Sequence, residues 1–483
     1  MSYDEVQKVG AVKVEECFIV PNPELGLPKA IELTNFMINF ILHESIFHNC
    51  LVAEMSIGDS ANLIGSTPFT GGEIVTVKFR SPHLEDSPNN VIQQSFIVSG
   101  ITNRNFKEDR EQFYILKLIS FEGYKDQTVN ISKRFTGTPR DIFQEIYDDF
   151  IQEPKYINGS GAQVPYGALE FLDQGDLPFI RQDFCFIANY WTPFRCMNYL
   201  SRQAAPSSSG KKLMPNVMYF QSNKRHYVVS LSRLTRFYKS QRICYDEFSY
   251  IPELDNDFMT NTNERRPAIG GFRYTSPFVS KKYNSITNLS VPRYADGLLD
   301  QMSGYLGNLT VGFDMIKRQP YHMEFDYTPS QPERRKQNKN VIPDGYDDFE
   351  HITDETPLRE KVISNPRNKI NVRIGASNIW SDREFGYDSQ HFINTAYRSS
   401  ALSELNRLAI KVTVPGRTDV DLGMLVNLNF PSSTEKTDTP DIDQIIDKRM
   451  SGLYTITGIK HNINYAEHNM ELTVVRDSVN SLG

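Results

Sequence analysis

The sequence predicts a mainly β fold with α+β insertions, organised as two similar β-barrels and an intervening α+β domain. Three observations carry this. Segments towards both ends alternate apolar and polar residues, as half-buried strands do. Strong helix signals are few and lie between those segments. "GGEIVTVKF" at 71–79 also returns with the same parity inside "VPGRTDVDLGMLVNLNF" at 414–430.

Residues 1–125 read mostly as strands, clearest in "GEIVTVKF", "SFIVSGI" (95–101) and "FYILKLIS" (113–120). Polar turns such as "NFKEDRE" and the loop "HLEDSPNN" (83–90) separate them. "TPRDIFQEIYDDFI" (138–151) predicts a helix: Thr138 caps it, Pro139 suits the first turn, and Asp141 takes the capping-box place. Ile142, Ile146 and Phe150 recur every four residues and give one buried stripe. "TPFRCMNYLSRQAA" (192–205) repeats the Thr-Pro opening and predicts a second helix. "PSSSGKK" (206–212) is a connector, and 217–234 predicts a hairpin turning at Ser222, Asn223 and Lys224. A third helix is expected over 295–306, then strands in "NLTVGFDMI" and "YHMEFDY". From 328 to about 390 a basic block is followed by an acidic one, the pattern of a solvated insertion. A fourth helix is expected over 401–410, and two strands close the chain.

Aligning Gly72–Phe79 with Gly423–Phe430 places Val75, Val77 and Phe79 on one strand face, matched by Val426, Leu428 and Phe430. These six are the expected barrel-core residues. Thr76 and Lys78 match Asn427 and Asn429 on the opposite face, the candidate channel or interface face. A slip of one residue would reverse every side chain, so shared parity carries information. The next strands agree: Phe96–Ile101 matches Tyr454–Ile459, with Gly100 and Gly458 in the same place, where a bulge or bend is expected. Both glycines are counted with the barrel cores. A last strand closes each copy, Phe113–Ile119 and Met470–Val475, and three matching strands in order indicate duplication. Three such chains would set six similar units around one axis, offering a sixfold-like face to one neighbour and a threefold face to another.

Composition fits a globular chain, with 39% hydrophobic and 23% charged residues among 483. The net charge of −7 argues against a protein that grips nucleic acid by neutralising phosphates, though an acidic wall would let it pass. The cysteines, Cys17, Cys50, Cys185, Cys196 and Cys244, are odd in number and form no CxxC pair, so no disulfide framework is expected. The N-terminal stretch lacks a basic run followed by an apolar one, and no apolar run is long enough to span a bilayer.

The motifs of catalysis and metal binding are missing or misspaced. "HESIFH" sets His43 and His48 five apart, about 140° round a helix and on opposite faces of a strand, so they cannot share a metal as an i, i+4 pair does. The acids of 344–350 and 438–447 lack EF-hand spacing, and "SGYLGN" (303–308) lacks the Gly-Lys-Ser/Thr ending of a phosphate loop. No Gly-x-Ser-x-Gly elbow occurs. Arg334, Arg335, Lys336 and Lys339 form a basic run without the interleaved aromatics of a single-strand binder. A carboxylate pair for glycoside hydrolysis is left open by the sequence, because acids are abundant.

Three stretches, "VPGRTDVDLGMLVNLNF", "SGLYTITGIKHNIN" and "YADGLLDQMSGYLGNLTVGFDMIKRQPYHMEFDY" (294–327), resemble the baseplate central hub protein of contractile-tailed bacteriophages. "GTPRDIFQEIY" and "WTPFRCMNYLSRQAA", with the 217–231 hairpin, resemble that family's intervening domain. The resemblance implies a non-enzymatic homotrimer with two tube-forming barrels per chain and no cofactor or metal. It implies a trimeric central spike on one end, tail tube or tube-initiator proteins on the other, and a channel for DNA in passage. The implied location is the virion tail baseplate, assembled in the host cytoplasm, with no membrane insertion. The implied domains are a first barrel over 1–128, an intervening domain over 129–282, and a second barrel from 283–327 and 401–478. The partly irregular insertion 328–400 and the loop 431–451 have no counterpart, and 328–400 is expected to meet other baseplate proteins. Two other readings are the hub of a phage-tail-like bacteriocin or secretion spike, and a cell-wall hydrolase fused to β modules.

Overall fold

The computed structural model describes residues 10–21, 30–66, 69–82, 84, 90–107, 111–158, 161–171, 184–204, 207–208, 211–212, 217–230, 243–246, 285–294, 302–305, 307–314, 318–326, 369–375, 390–405, 408–430, 447, 450–465 and 467–476. The first unit contains β1 (Lys13–Val20), β2 (Ile31–Glu32), β3 (Met37–Ser45), β4 (Val52–Asp59), the short helix α1 (Leu63–Ser66), β5 (Ile74–Arg80), β6 (Val91–Phe106) and β7 (Gln112–Ser120). Helix α2 (Phe121–Thr128) leads on to β8 (Ile131–Gly137), α3 (Pro139–Ile146), β9 (Pro154–Ile157), β10 (Gln163–Pro165), β11 (Glu170–Phe171), β12 (Phe184–Trp191) and α4 (Pro193–Gln203). Then come β13 (Ser207–Ser208), β14 (Lys211–Lys212), β15 (Val217–Gln221), β16 (His226–Ser230), β17 (Ile243–Asp246), β18 (Asn288–Tyr294), β19 (Gly307–Asp314), β20 (Gln319–Asp326) and β21 (Ile370–Gly375). Helix α5 (Gln390–Leu405) precedes β22 (Leu408–Pro415), β23 (Leu425–Asn429), β24 (Gly452–Asn464) and β25 (His468–Arg476).

The fold is mainly β. One large sheet runs β18-β22-β25-β24-β3-β4-β7-β6-β5-β1-β2, with β23 on β24 and β17 on β23. The first unit curls into a barrel. Phe40 on β3 and Phe79 on β5 lie four places apart in the sheet order, yet their ring centroids are 5.2 Å apart across the interior. Val75, Val77 and Phe79 sit fully buried in that core with Cys17, Met55, Phe96 and Leu116. Burying each such side chain is worth about 1.5–3 kcal/mol. Val426, Leu428 and Phe430 sit in a second core with Ile410, Val412, Tyr454, Leu472 and Val474. Phe220 and Tyr227 from the β15–β16 hairpin fill that second core too, so the intervening domain is packed into it and is no mere spacer.

The intervening domain has its own core, formed by Ile142, Phe143 and Ile146 of α3, Met197 and Leu200 of α4, and Phe135 and Phe186 from the paired β8 and β12. Both helices start as their Thr-Pro openings require. The Thr138 hydroxyl accepts the Asp141 amide at 3.2 Å, and the Thr192 hydroxyl accepts the Arg195 amide at 3.4 Å. After Ile146 the helix widens into a π-turn over Tyr147–Ile151, which leaves Phe150 half-buried instead of on the predicted stripe.

Several expectations are corrected. The helix expected at 401–410 is the end of α5, which starts at Gln390; Leu408–Ile410 belong to β22, because Leu408, Ile410, Val412 and Val414 alternate into the barrel core. Residues 307–326 do not join the second barrel. β19 and β20 form a separate sheet with β21, which comes from the supposed insertion, and α5 contacts that sheet. Gly100 and Gly458 are half-buried and line neither core. Of the helix expected at 295–306, only 302–305 are described, and the blocks 334–339 and 344–350 and most of 431–451 lie outside the described residues. Cys17, Cys50, Cys185 and Cys196 are free thiols. Among the described residues no helix is long and apolar enough to cross a membrane.

Replacing Phe79 by Ala removes the ring that meets Phe40 across the first core. It is expected to cost about 3–5 kcal/mol, the usual price of a large buried aromatic. A lowered denaturation midpoint, followed by circular dichroism in urea, checks this.

Candidate functional site

The repeated unit is repeated down to single hydrogen bonds. Val75 lies opposite Phe96, and Val426 lies opposite Tyr454. The Gly72 amide donates to the Val98 carbonyl at 3.2 Å, and the Gly423 amide to the Ile456 carbonyl at 2.8 Å. In return, the Val98 amide donates to Glu73 at 2.8 Å and the Ile456 amide to Met424 at 3.0 Å. Gly72 and Gly423 have φ of +91° and +79°, the left-handed region that side chains other than glycine rarely adopt. The β6–β7 register shifts between Val98 and Gly100, and the β24–β25 register between Ile456 and Gly458. The bulge therefore recurs at the matched place, although a Cβ at Gly100 would meet open space. Outside these three strands, β4 on β7 matches β22 on β25, and β3 on β4 matches β18 on β22.

The two units are joined edge to edge. β24 pairs with β23 over Gly452–Thr455, passes its bulge, and then pairs with β3 from Gly458 opposite Ser45 to Asn464 opposite Asn39. A polar cluster is buried at this joint. Glu44 of β3 accepts the Asn223 backbone amide at 2.8 Å and the Asn223 side-chain amide at 2.6 Å. His461 Nε2 lies 3.1 Å from Glu44 Oε1, and His461 Nδ1 lies 3.0 Å from His468 Nε2. An ionised Glu44 only accepts, so His461 carries its proton on Nε2; in the neutral ring Nδ1 then accepts from His468. Burial alone would raise the Glu44 carboxyl, but the hydrogen bonds from His461 and Asn223 outweigh it and hold the group below its ordinary value. First barrel, intervening hairpin and second barrel thus meet at one carboxylate.

Other hydrogen bonds, all but one fully buried, tie the same three parts. Gln221 accepts the Leu51 amide at 3.0 Å and donates to Glu122 at 3.0 Å. Tyr227 donates to Asp421 at 2.7 Å, and Thr418 donates to the Asn90 carbonyl at 2.6 Å. Among the described residues no group of three or more His, Cys, Asp or Glu is arranged to hold a metal. His43 lies on β3, and His48 lies beyond its end.

The four residues expected on a channel or interface face part company. Thr76 is fully buried: its hydroxyl lies 2.8 Å from that of Ser95 and donates to the Ile157 carbonyl at 3.1 Å. β9 covers this part of the sheet from within the chain, so Thr76 meets neither a channel nor a neighbour. Lys78 is half-buried and paired with Glu15 at 2.9 Å. Asn427 and Asn429 are half-buried on β23, opposite Cys244 and Asp246 of β17. Sequence reasoning missed Glu44, His461, His468 and Asn223. Glu44 and His461 are 417 positions apart, and no local pattern links them.

No known family profile matches the sequence, and no curated protein matches it. Solved structures do resemble the fold. A 43 kDa tail protein of prophage MuSo2 from Shewanella oneidensis is 8% identical, with TM-score 0.47, covering 96% of this chain and 99% of its own. A tail protein from Neisseria meningitidis is 8% identical, with TM-score 0.43, covering 96% of each chain. The prophage tail protein gp18 from Listeria monocytogenes is 10% identical, with TM-score 0.41, covering 95% of this chain and 94% of its own.

Glu44 binds its proton less readily when folded than at its ordinary value of 4.5, so its contribution to stability is present above that pH and drains away as pH falls through the folded value. Glu44→Gln is expected to lower the melting temperature at pH 7, because one amide donor must face the donors of Asn223. The gap between variant and wild type should narrow as pH falls below about 4.5. Melting curves of both proteins from pH 7 to pH 3 check this.

Proposed function

We propose that this chain is the structural hub of a contractile phage tail baseplate. Three copies form a ring with pseudo-sixfold symmetry, which joins a trimeric central spike to a hexameric tail tube and leaves a channel for DNA. The observation that supports this most is the joint: one barrel unit occurs twice, and the two copies share a sheet through main-chain pairing of β24 with β3. A single interface repeated around an axis makes a closed ring when its rotation divides a full turn. A duplicated chain needs only three copies to present six similar walls. Such a ring meets a sixfold partner through what its two units share and a threefold partner through what they do not.

The sequence resemblance to the hub family supports the same reading, as does the balance of charge. A net charge of −7 disfavours a tight hold on phosphates, which suits a conduit that must release what passes. The role is played by interfaces without catalysis, with the region 328–400 meeting other baseplate proteins.

Mass photometry of the purified chain, alone and with its spike, is expected to give a three-chain particle, and end-on electron micrographs six lobes around a hole. A strictly monomeric or dimeric particle under both conditions overturns the hub. So does clearing of a peptidoglycan suspension that is lost on substituting one acid, which would make the chain a hydrolase.

A further inference from the structure

The internal joint has a matching pair of open edges elsewhere in the sheet, one on β6 and one on β18. β24 uses one edge for β25 and divides the other between β23 and, past the bulge, β3. β6 uses one edge for β7 and pairs through Val91–Ile97 with β5 on the other. Past its bulge, over Gly100–Phe106, no strand among the described residues lies where β3 lies on β24. At one end, β18 stands in the place of β3, pairs with β22 alone among the described residues, and closes the sheet order. We propose that β6 of one copy pairs with β18 of a second copy in the antiparallel manner of β24 with β3, making this the contact between subunits. The proposal rests on the ring reading and gives its interface.

The existing pairings fix the register. Through β7 and β25, Thr102 corresponds to Lys460, Asn105 to Asn462 and Phe106 to Ile463. Through β4 and β22, Leu289 corresponds to Phe40, Ser290 to Ile41 and Arg293 to His43. Lys460 faces His43, Asn462 faces Ile41, and Ile463 faces Phe40. Across copies, Thr102 therefore faces Arg293, Asn105 faces Ser290, and Phe106 faces Leu289. Both strands depart from their internal counterparts in one respect. β6 holds an extra residue between Thr102 and Asn105, and β18 holds one between Ser290 and Arg293. The two extra residues fall opposite each other, so the register before them is the register after them. Unrelated edges would have no reason to carry matching irregularities at facing positions.

Side-chain chemistry agrees. Ile463 and Phe40 are fully buried in the first core, so the second unit's strand contributes to its neighbour's interior. Their counterparts are apolar and uncovered: Phe106 is 70% exposed and Leu289 41%. Tyr294, at the Glu44 position of β18, is 50% exposed. Long uncovered strand edges with apolar side chains template association, and pairing these two in a ring leaves neither open. The interface is head-to-tail, since the two edges differ, and it closes only by rotation.

The test is a full-length double variant, Asn105→Cys with Ser290→Cys, oxidised mildly and run on non-reducing gels. Facing residues of an antiparallel pair have Cα atoms about 4.5–5.5 Å apart, within disulfide reach. The expected result is a reducible ladder ending at three linked chains, absent from wild type and from each single variant. Asn105→Cys with Tyr294→Cys lies three ladder positions out of register once the extra residue is allowed for, about 10 Å along the strand, and should not link. Phe106→Asp, at a site exposed in the single chain, should yield single chains with an unchanged far-ultraviolet circular dichroism spectrum. A three-chain particle that gives no 105–290 link, or links the displaced pair as well, overturns this pairing and leaves the hub reading standing. Chains that stay single, with and without the spike, overturn both.

Discussion

Everything in this molecule depends on how one long strand satisfies its backbone. An uncovered sheet edge offers a row of unpaired amides and carbonyls, and a chain with several strands must pair, cover or blunt each of them. β24 solves this by serving two barrels in succession. Its first residues complete the second barrel against β23, and its last residues become a strand of the first barrel's wall against β3. The bulge between Ile456 and Gly458 makes the change of partner possible, because an extra residue bends the strand and increases its twist. Without that bend β24 would stay with one neighbour, and the units would be beads on a string.

The buried polar cluster is the electrostatic counterpart of that joint. A carboxylate under a sheet is costly unless its lone pairs are used, and Glu44 uses them on Asn223 and His461. Its partners come from the intervening hairpin and the second barrel, so the network forms only when all three parts are docked. Removing any one part leaves a buried charge short of donors. Such a network adds little net stability over an apolar core, but it discriminates strongly between correct and incorrect docking.

Much of this was legible in the residues. Parity gave Val75, Val77, Phe79, Val426, Leu428 and Phe430 one face, and all six are buried. Gly100 and Gly458 marked a place where both ladders shift, though through strand geometry and with no crowding against a Cβ at Gly100. Thr-Pro openings located two helices because capping is local chemistry. What escaped was non-local. Thr76 looks like a solvent-facing residue until β9, some 80 positions on, closes over it. Nothing in "GIKHNIN" distinguishes a strand that ends in its own barrel from one that crosses into another. The 307–326 hairpin alternates as a barrel strand would, and its separation depends on β21, which lies in a stretch whose composition suggested only solvated loop.

The continuity of β24 also has a mechanical meaning. It acts as a tie-rod between the two barrels: a pull that tries to part them loads several ladder bonds at once in shear, with no flexible tether to stretch first. Load applied to one barrel therefore reaches the other with little lost to play between them.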